Sequence, residues 1–419
     1  MVILIPIFSD AFLHPLHEDN KLSLLYVRHI GDKEGRMICI SHPDCGDTES
    51  IEEIKNDKTN FYITPDKKKL MHIFPDTRLL DVNFLNWWDK NIPLNLENIT
   101  INTYDFFNSK YYNVKKLNEI IPFTKHKEYC DRVFDKISES IDTIYEEVYH
   151  HDVTNAFGLI EKNGVKVTDN ICDIFDERVR KHISNGKLYS QYNLWTSTGR
   201  PSNSFGSVNF AALTKEHKRA FIPENDYLVE FDFDAYHLRL IGDLVDYDFG
   251  KESVHGHLAK HYGCSYEESK QRSFKLLYGG IDKETREKVL FFKKVYNYIN
   301  TKWLEFNSNK YIKTNIYSRK LLSNNYSNMN KSKLFNYLIQ AYETESNIRK
   351  INKLHTYLKD KKSRIVLYCY DSFLFDFHKE DGVDILIGVK NILEENKHYT
   401  KSKMGFSYDS MTDITGRLQ

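Results

Sequence analysis

The chain has 419 residues, too many for one ordinary hydrophobic core, so two or three packed units are expected. Its 59 basic and 59 acidic side chains cancel, so any nucleic-acid face must be local and balanced by acidic surface elsewhere. No run of about 18 apolar residues occurs, which argues against a membrane span.

The start, Met1 to Phe8, is apolar but lacks a basic leader and a small-residue cleavage site, and reads as a buried strand. Leu22–Ile30, Met37–Ser41, Phe61–Thr64 and Met71–Phe74 are further strand candidates. Turn-prone clusters such as Pro43-Asp44-Cys45-Gly46-Asp47 separate them, so residues 1–120 predict a β-rich domain. Cys130, Val133, Phe134, Ile137, Ile141, Ile144, Tyr145 and Val148 recur at helical spacing and predict a long amphipathic helix. A short helix with a turn follows at Asn155–Val167, and from about residue 190 strands and helices alternate to the end. The six cysteines (Cys39, Cys45, Cys130, Cys172, Cys264, Cys369) form no C-x-x-C pair and have no His at finger spacing. Structural zinc and a disulfide framework are unexpected, and a reducing, cytoplasmic compartment fits.

Two elements carry candidate chemistry. Tyr227–Phe233 is an apolar run ending in acids, as expected of a buried strand that delivers Asp232 to its exposed end. In Arg364–Phe377 two apolar strands flank Asp371-Ser372, which reads as a tight hairpin with an acid at its tip. Taken singly, each acid reads equally as a turn or cap residue; Asp234 and Asp376 read as turn or outward-facing acids. Two strands of one sheet can set Asp232 and Asp371 side by side. Such a pair repels itself unless divalent metal holds it, and two ions roughly 3.5–4 Å apart serve in-line phosphoryl transfer.

Between the acids, Lys270, Phe274 and Tyr278 recur at i, i+4 and i+8 of a helix that Gly279-Gly280 would end. One stripe then offers a cation for a triphosphate and two flat surfaces for sugar and base; the alternative is a surface helix whose aromatics face the core. His255, within Ser253-Val254-His255, is a phosphate ligand or a core residue.

In this order the residues resemble the family A DNA polymerases, the group containing bacterial DNA polymerase I, over roughly residues 155–415. Arg219-Ala220-Phe221-Ile222-Pro223 followed by Asp232 to Arg239 looks like motif A. Lys270, Phe274, Tyr278 and Gly279 look like motif B, and Tyr370-Asp371-Ser372 like motif C. Thr196-Ser197-Thr198-Gly199-Arg200 with Asn209 resembles the segment that grips primer–template. Ser253-Val254-His255 stands at the D-I-H triplet, Thr314 with Ser318-Arg319 at the T-x-x-G-R turn, and Asn336 with Gln340 at the N-x-x-x-Q helix.

The resemblance implies an α/β right-hand polymerase with an antiparallel-sheet palm (191–250 and 335–419), helical fingers (251–334) and a reduced helical thumb (121–190). A β-rich N-terminal domain (1–120) stands where relatives carry a proofreading exonuclease. It implies a DNA-directed DNA polymerase whose Asp232 and Asp371 bind two magnesium ions. Lys270 and His255 would hold the dNTP triphosphate, Phe274 the sugar and Tyr278 the nascent pair. Arg200, Asn209, Arg319, Asn336 and Gln340 would contact primer–template DNA.

Departures qualify this. The glutamate that crowds a ribose 2′-hydroxyl is His237, whose imidazole is also bulky. The arginine four residues before Lys270 is Tyr266, with Arg272 on another face as a substitute. Only about thirty residues separate the Gly164-Val165 turn from Thr196, so the helix around Cys130–Val148 is expected to supply the thumb, and a processivity partner to compensate for its size. No strand-borne D-x-E occurs before residue 120, so exonuclease activity is not expected. The rival reading is a single-subunit RNA polymerase or primase-like enzyme, and a remoter one is a non-catalytic DNA-binding scaffold. The compact, Asn- and Lys-rich chain suggests a viral replication enzyme.

Overall fold

The structure is a computed structural model and describes residues 1–8, 13–39, 48–65, 67–91, 94, 123–140, 148–204 and 206–418. The predicted strand end at Ser41, the 43–47 turn and helix positions Ile141, Ile144 and Tyr145 lie outside these residues. The chain divides into two compact units, Met1–Trp195 with Ser202–Ala212, and Thr196–Pro201 with Leu213–Gln419.

The first unit is built on five strands, β1 (Val2–Phe8), β2 (Leu22–His29), β3 (Arg36–Cys39), β4 (Tyr62–Thr64) and β5 (Leu79–Asp81). Their order is β3-β2-β1-β4-β5. β1 and β2 pair antiparallel, as do β2 and β3, whereas β1–β4 and β4–β5 are parallel. Helices α1 (Thr48–Asn56), α2 (Lys67–Met71), α3 (Val82–Lys90), α4 (Phe123–Ser140) and α5 (Val148–Asn163) accompany the sheet.

All seven residues of β1 are buried. Ile3, Ile5 and Ile7 pack with Tyr129, Cys130, Val133, Phe134 and Ile137 of α4, while Val2, Leu4 and Phe8 join Leu70 and Phe74 on the other face. A strand covered on both faces reads as a continuous apolar run, which is why β1 was legible. Pro6 is tolerated because the described pairing with β4 takes only Val2 and Ile3.

Two expectations change. Met71–Phe74 is not a strand: Met71 ends α2 and a turn follows, with Phe74 a fully buried anchor. Short apolar runs do not separate strand from buried turn by periodicity. The unit is a mixed α/β layer rather than β-rich. Of the helix offered as a thumb, the described parts are α4, up to Ser140, and α5, from Val148. The apolar face of α4, 0–5 % exposed at Tyr129, Cys130, Val133, Phe134 and Ile137, covers this sheet. Spacing revealed the helix but not the surface that buries it.

The rest of the first unit holds β6 (Val165–Lys166), α6 (Glu177–Arg180), β7 (Ile183–Ser184), β8 (Lys187–Leu188), β9 (Tyr192–Asn193) and β10 (Ser202–Asn203). They form a three-stranded sheet, β6-β8-β7, and a two-stranded one, β10-β9.

The second unit runs α7 (Lys215–Lys218), β11 (Tyr227–Phe233), α8 (Tyr236–Leu244), α9 (Val254–Tyr262), α10 (Tyr266–Gly279), α11 (Lys283–Lys288) and α12 (Leu290–Asn309). It continues with a hairpin of β12 (Tyr311–Lys313) and β13 (Lys320–Leu322), then α13 (Lys331–Tyr357). Last come β14 (Arg364–Cys369), β15 (Ser372–Phe377), α14 (Val383–Leu393), β16 (Thr400–Gly405) and β17 (Thr412–Asp413). An antiparallel sheet of order β14-β15-β11-β16-β17 forms its base. Between β11 and α13 the chain is almost wholly helical, cored by Leu258, Leu276, Leu277, Phe291, Phe292 and Phe335. Among the described residues no helix is long and apolar enough to cross a membrane.

Candidate active site

Strand alternation turns Glu230 and Asp232 to one side of β11 and the buried Phe231 and Phe233 to the other. Across β16, Lys403 stands opposite Glu230 and Lys401 opposite Asp232. Cys369 pairs with Ser372, leaving Tyr370-Asp371 as a two-residue loop whose tightness is met by the left-handed φ of 59° at Tyr370. The Phe233 N–H donates to the Asp371 carbonyl at 2.9 Å, and Asp232 pairs with Ser372. The strand end and the hairpin tip are therefore neighbours, and the predicted side-by-side acids are present.

Burial pushes the Asp232 carboxyl up to about 6, with repulsion from Asp371 and Glu230 adding and Lys403 and Lys401 opposing. Asp371 is open to solvent on one side at the hairpin tip. The protein crowded around the rest of it still raises its carboxyl, Glu343 adding repulsion while Arg200 and His237 oppose. Two oxygen-donor acids that repel each other fit a hard divalent cation. Behind them, Asn347 (0 % exposed) accepts from the Tyr236 hydroxyl at 2.6 Å and donates to the Tyr368 hydroxyl and Tyr370 carbonyl, both at 3.1 Å. This network braces the hairpin tip against α8.

The acids line a pocket of about 390 Å³ together with His255, Lys270, Phe274, His237 and Lys401. The helix carrying Lys270 starts at a capping box of Ser265 and Glu268 and ends at Gly280, φ 105°. The Ser269 hydroxyl donates to the His255 carbonyl at 2.8 Å, tying α10 to α9. Phe274 is 41 % exposed, so it is a presented ring and not a core one. His255 is 4 % exposed, its ring 5.7 Å from Tyr266 and 6.1 Å from Phe274. Burial lowers its pKa, and the nearby Lys270 and Lys401 lower it further. Arg272, the expected substitute for the missing arginine, sits over the Tyr262 ring at 4.5 Å and bonds Thr285, away from this pocket. The side chain of Tyr278 lies outside the described residues.

Sequence reasoning missed Glu343. It is wholly buried, with one carboxylate oxygen 3.0 Å from Arg200 Nε and 3.2 Å from His237 Nε2. The Arg200 guanidinium also lies over the Tyr370 ring at 3.9 Å. A signal existed: Asn336, Gln340 and Glu343 stand at i, i+4 and i+7 of α13, one helical face.

No family model matches the chain, and no curated protein matches it. Among solved structures it is similar to the POL domain of Pol1 from M. smegmatis, in complex with DNA primer–template and dNTP. The TM-score is 0.66 at 14 % identity, over 97 % of this chain and 95 % of that one. The fold is that of a polymerase domain. Its antiparallel sheet around β11 and its helices are consistent with a right-hand architecture.

The residues expected to meet DNA divide on this frame. Arg200 reaches the pocket of the two aspartates. Asn336 and Gln340 are half-buried on α13 and bond each other at 3.2 Å. Arg319 is 2 % exposed and donates to the Ser197 carbonyl at 3.4 Å, so it braces the Thr196–Arg200 turn from within instead of presenting a surface cation. Asn209 is exposed in the first unit. Asp376, read as a turn or outward acid, is buried and accepts from the backbone of Glu224 and Asn225.

In the first unit, donor atoms of His14, His72 and Glu161 lie within 4.8 Å of one another. The Leu16 N–H donates to His14 Nδ1, which puts the proton on Nε2, and Lys68 and the Tyr192 N–H hold Glu161. That bonding turns a protonated Nε2 of His14 toward the cluster and engages Glu161 with a lysine, which disfavours a cation there and leaves Asp232 and Asp371 as the better cation site.

Proposed function

We propose that this chain is a DNA-directed DNA polymerase that extends a primer 3′ end by nucleotidyl transfer from dNTPs. The observation that carries the reading is the adjacency of Asp232 and Asp371 in one pocket with Lys270, His255 and Phe274. Two magnesium ions bound by the two aspartates would supply the Lewis acidity for in-line attack and departure of pyrophosphate.

Lys270 and His255 hold the triphosphate, Phe274 lies against the sugar and Tyr278 against the nascent pair. His237 occupies space beside the sugar. Arg200, Asn209, Asn336 and Gln340 position the primer–template without reading its sequence; Arg319 acts through the turn it braces. β1 carries no carboxylate, which supports an N-terminal domain without exonuclease activity. With little chain available for a thumb, a processivity protein is the expected partner. The compact, Asn- and Lys-rich chain fits a viral replication enzyme acting in the host cytoplasm.

The test is primer extension with magnesium, offering deoxy- and ribonucleotides separately to wild type and Asp232→Asn. Extension with deoxynucleotides, slowed by about 1,000-fold or more in the variant, is expected. Primer-independent ribonucleotide synthesis would instead identify an RNA polymerase or primase-like enzyme, and DNA binding without extension a scaffold.

A further inference from the structure

Helix α10 presents Tyr266 where the resemblance leads one to expect an arginine that reaches a phosphate, and Arg272 points elsewhere. A triphosphate carries about four negative charges, and a buried histidine with a lowered pKa contributes little positive charge against them. With Arg200 of the same pocket paired to Glu343, Lys270 is a thin electrostatic match.

Strand β16 supplies a second cation. Lys401 stands opposite Asp232 in the antiparallel β11–β16 pair, so both side chains leave the same face. It lines the pocket that holds Lys270, His255, Tyr266 and Phe274. Its Nζ is 2.9 Å from Asp234 Oδ1, with the side chain 54 % exposed. Asp234 does not depend on it. Arg239, 5 % exposed, lies 3.4 Å from the other oxygen of Asp234 and donates to the Asp234 carbonyl at 3.1 Å. A solvated ammonium on a flexible four-carbon stem can therefore change partners, as the buried Arg239 cannot. Beside it, His255 Nδ1 is buried without a hydrogen-bond partner.

We propose that Lys401 is a phosphate ligand of this site, gripping the incoming triphosphate from the palm while Lys270 grips it from the fingers. The proposal rests on the polymerase reading for its substrate, but not for the existence of an anion site. When the nucleotide is joined, the same ammonium remains beside the departing pyrophosphate. Lys401 thus supplies from a strand the charge that position 266 lacks on the helix.

The experiment has two arms, using wild type, Lys401→Met and Lys401→Arg. In steady-state extension, Lys401→Met is expected to raise KM for dNTP about ten-fold and to weaken pyrophosphate inhibition by a similar factor, a charged hydrogen bond being lost. KM for primer–template stays within about two-fold of wild type, and Lys401→Arg restores most of the loss. Titration calorimetry with pyrophosphate, without DNA, gives the second arm, and is expected to show wild-type binding weakened in Lys401→Met. Unchanged KM and inhibition, or no wild-type pyrophosphate binding, overturns the proposal. A wild type that binds pyrophosphate through Lys401 but extends no primer refutes the polymerase reading alone.

Discussion

His237 Nε2 lies 3.2 Å from a carboxylate oxygen of Glu343, although 106 residues separate the two in the chain. An imidazole held in this way cannot swing out of the pocket that would receive the sugar. Replacing His237 by alanine is expected to raise ribonucleotide use relative to deoxynucleotide use by about ten-fold or more, the size of a steric rejection in a pocket. The ratio of kcat/KM for matched rNTP and dNTP pairs reads this directly. An unchanged ratio would mean that another group selects the sugar.

Glu343 itself is a buried anion serving two partners. Glu343→Gln keeps the shape and removes the charge, leaving Arg200 a neutral acceptor in place of an ion pair. A loss of about 1–3 kcal/mol in urea unfolding is expected. KM for primer–template should move more than KM for dNTP, since Arg200 is the group released.

The raised carboxyl of Asp232 has a definite sign. Its ionised form is disfavoured in the folded chain, so the penalty is absent below the ordinary value of 3.8, grows up to about 6 and persists above it. Without metal, Asp232→Asn should therefore stabilise the protein at pH 7.5 by on the order of 1–2 kcal/mol, and not at pH 3.5. Urea melts at the two pH values check this. With magnesium, extension should fall at acid pH with a midpoint below that of the metal-free carboxyl and lower still as magnesium is raised, because proton and metal compete for the same oxygens.

Asn347 makes three hydrogen bonds to Tyr236, Tyr368 and the Tyr370 carbonyl. Its truncation to alanine strands these groups in the core and should cost about 2–4 kcal/mol. Slowed extension at saturating dNTP is expected with it, since the hairpin tip loses its brace. A variant with wild-type stability and rate would show that the network is dispensable.

The N-terminal sheet offers a negative prediction. With no carboxylate on β1, a primer ending in a mismatch should stay at full length during long incubation with magnesium. Gel analysis of the labelled strand suffices, and progressive shortening by the wild-type chain would contradict it.

Much of the site was legible because its signals are local. The strand ending at Asp232, the hairpin at Asp371 and the Lys270–Phe274 stripe each occupy one element. What escaped is what depends on the fold. Spacing put Glu343 on the helical face of Asn336 and Gln340, but not that it would meet Arg200 instead of water, which only the fold decides. The burial of Arg319 escaped for the converse reason, being decided by contact with Ser197. The α4 face was seen as apolar, but whether it would cover a sheet or stand as a thumb was a tertiary question. Tyr266 and Lys401 belong together only through the pocket; no spacing rule joins positions 266 and 401.

The Arg200–Glu343 pair bears on how the protein should respond to salt. Binding of a polyanion is normally driven in part by release of condensed counterions, so affinity falls steeply as salt rises. At this position an arriving backbone phosphate must first displace a carboxylate belonging to the protein itself. The chain carries its own bound salt, consistent with a net charge of zero. Its affinity for primer–template should then depend on ionic strength more shallowly than its number of lysines and arginines would suggest.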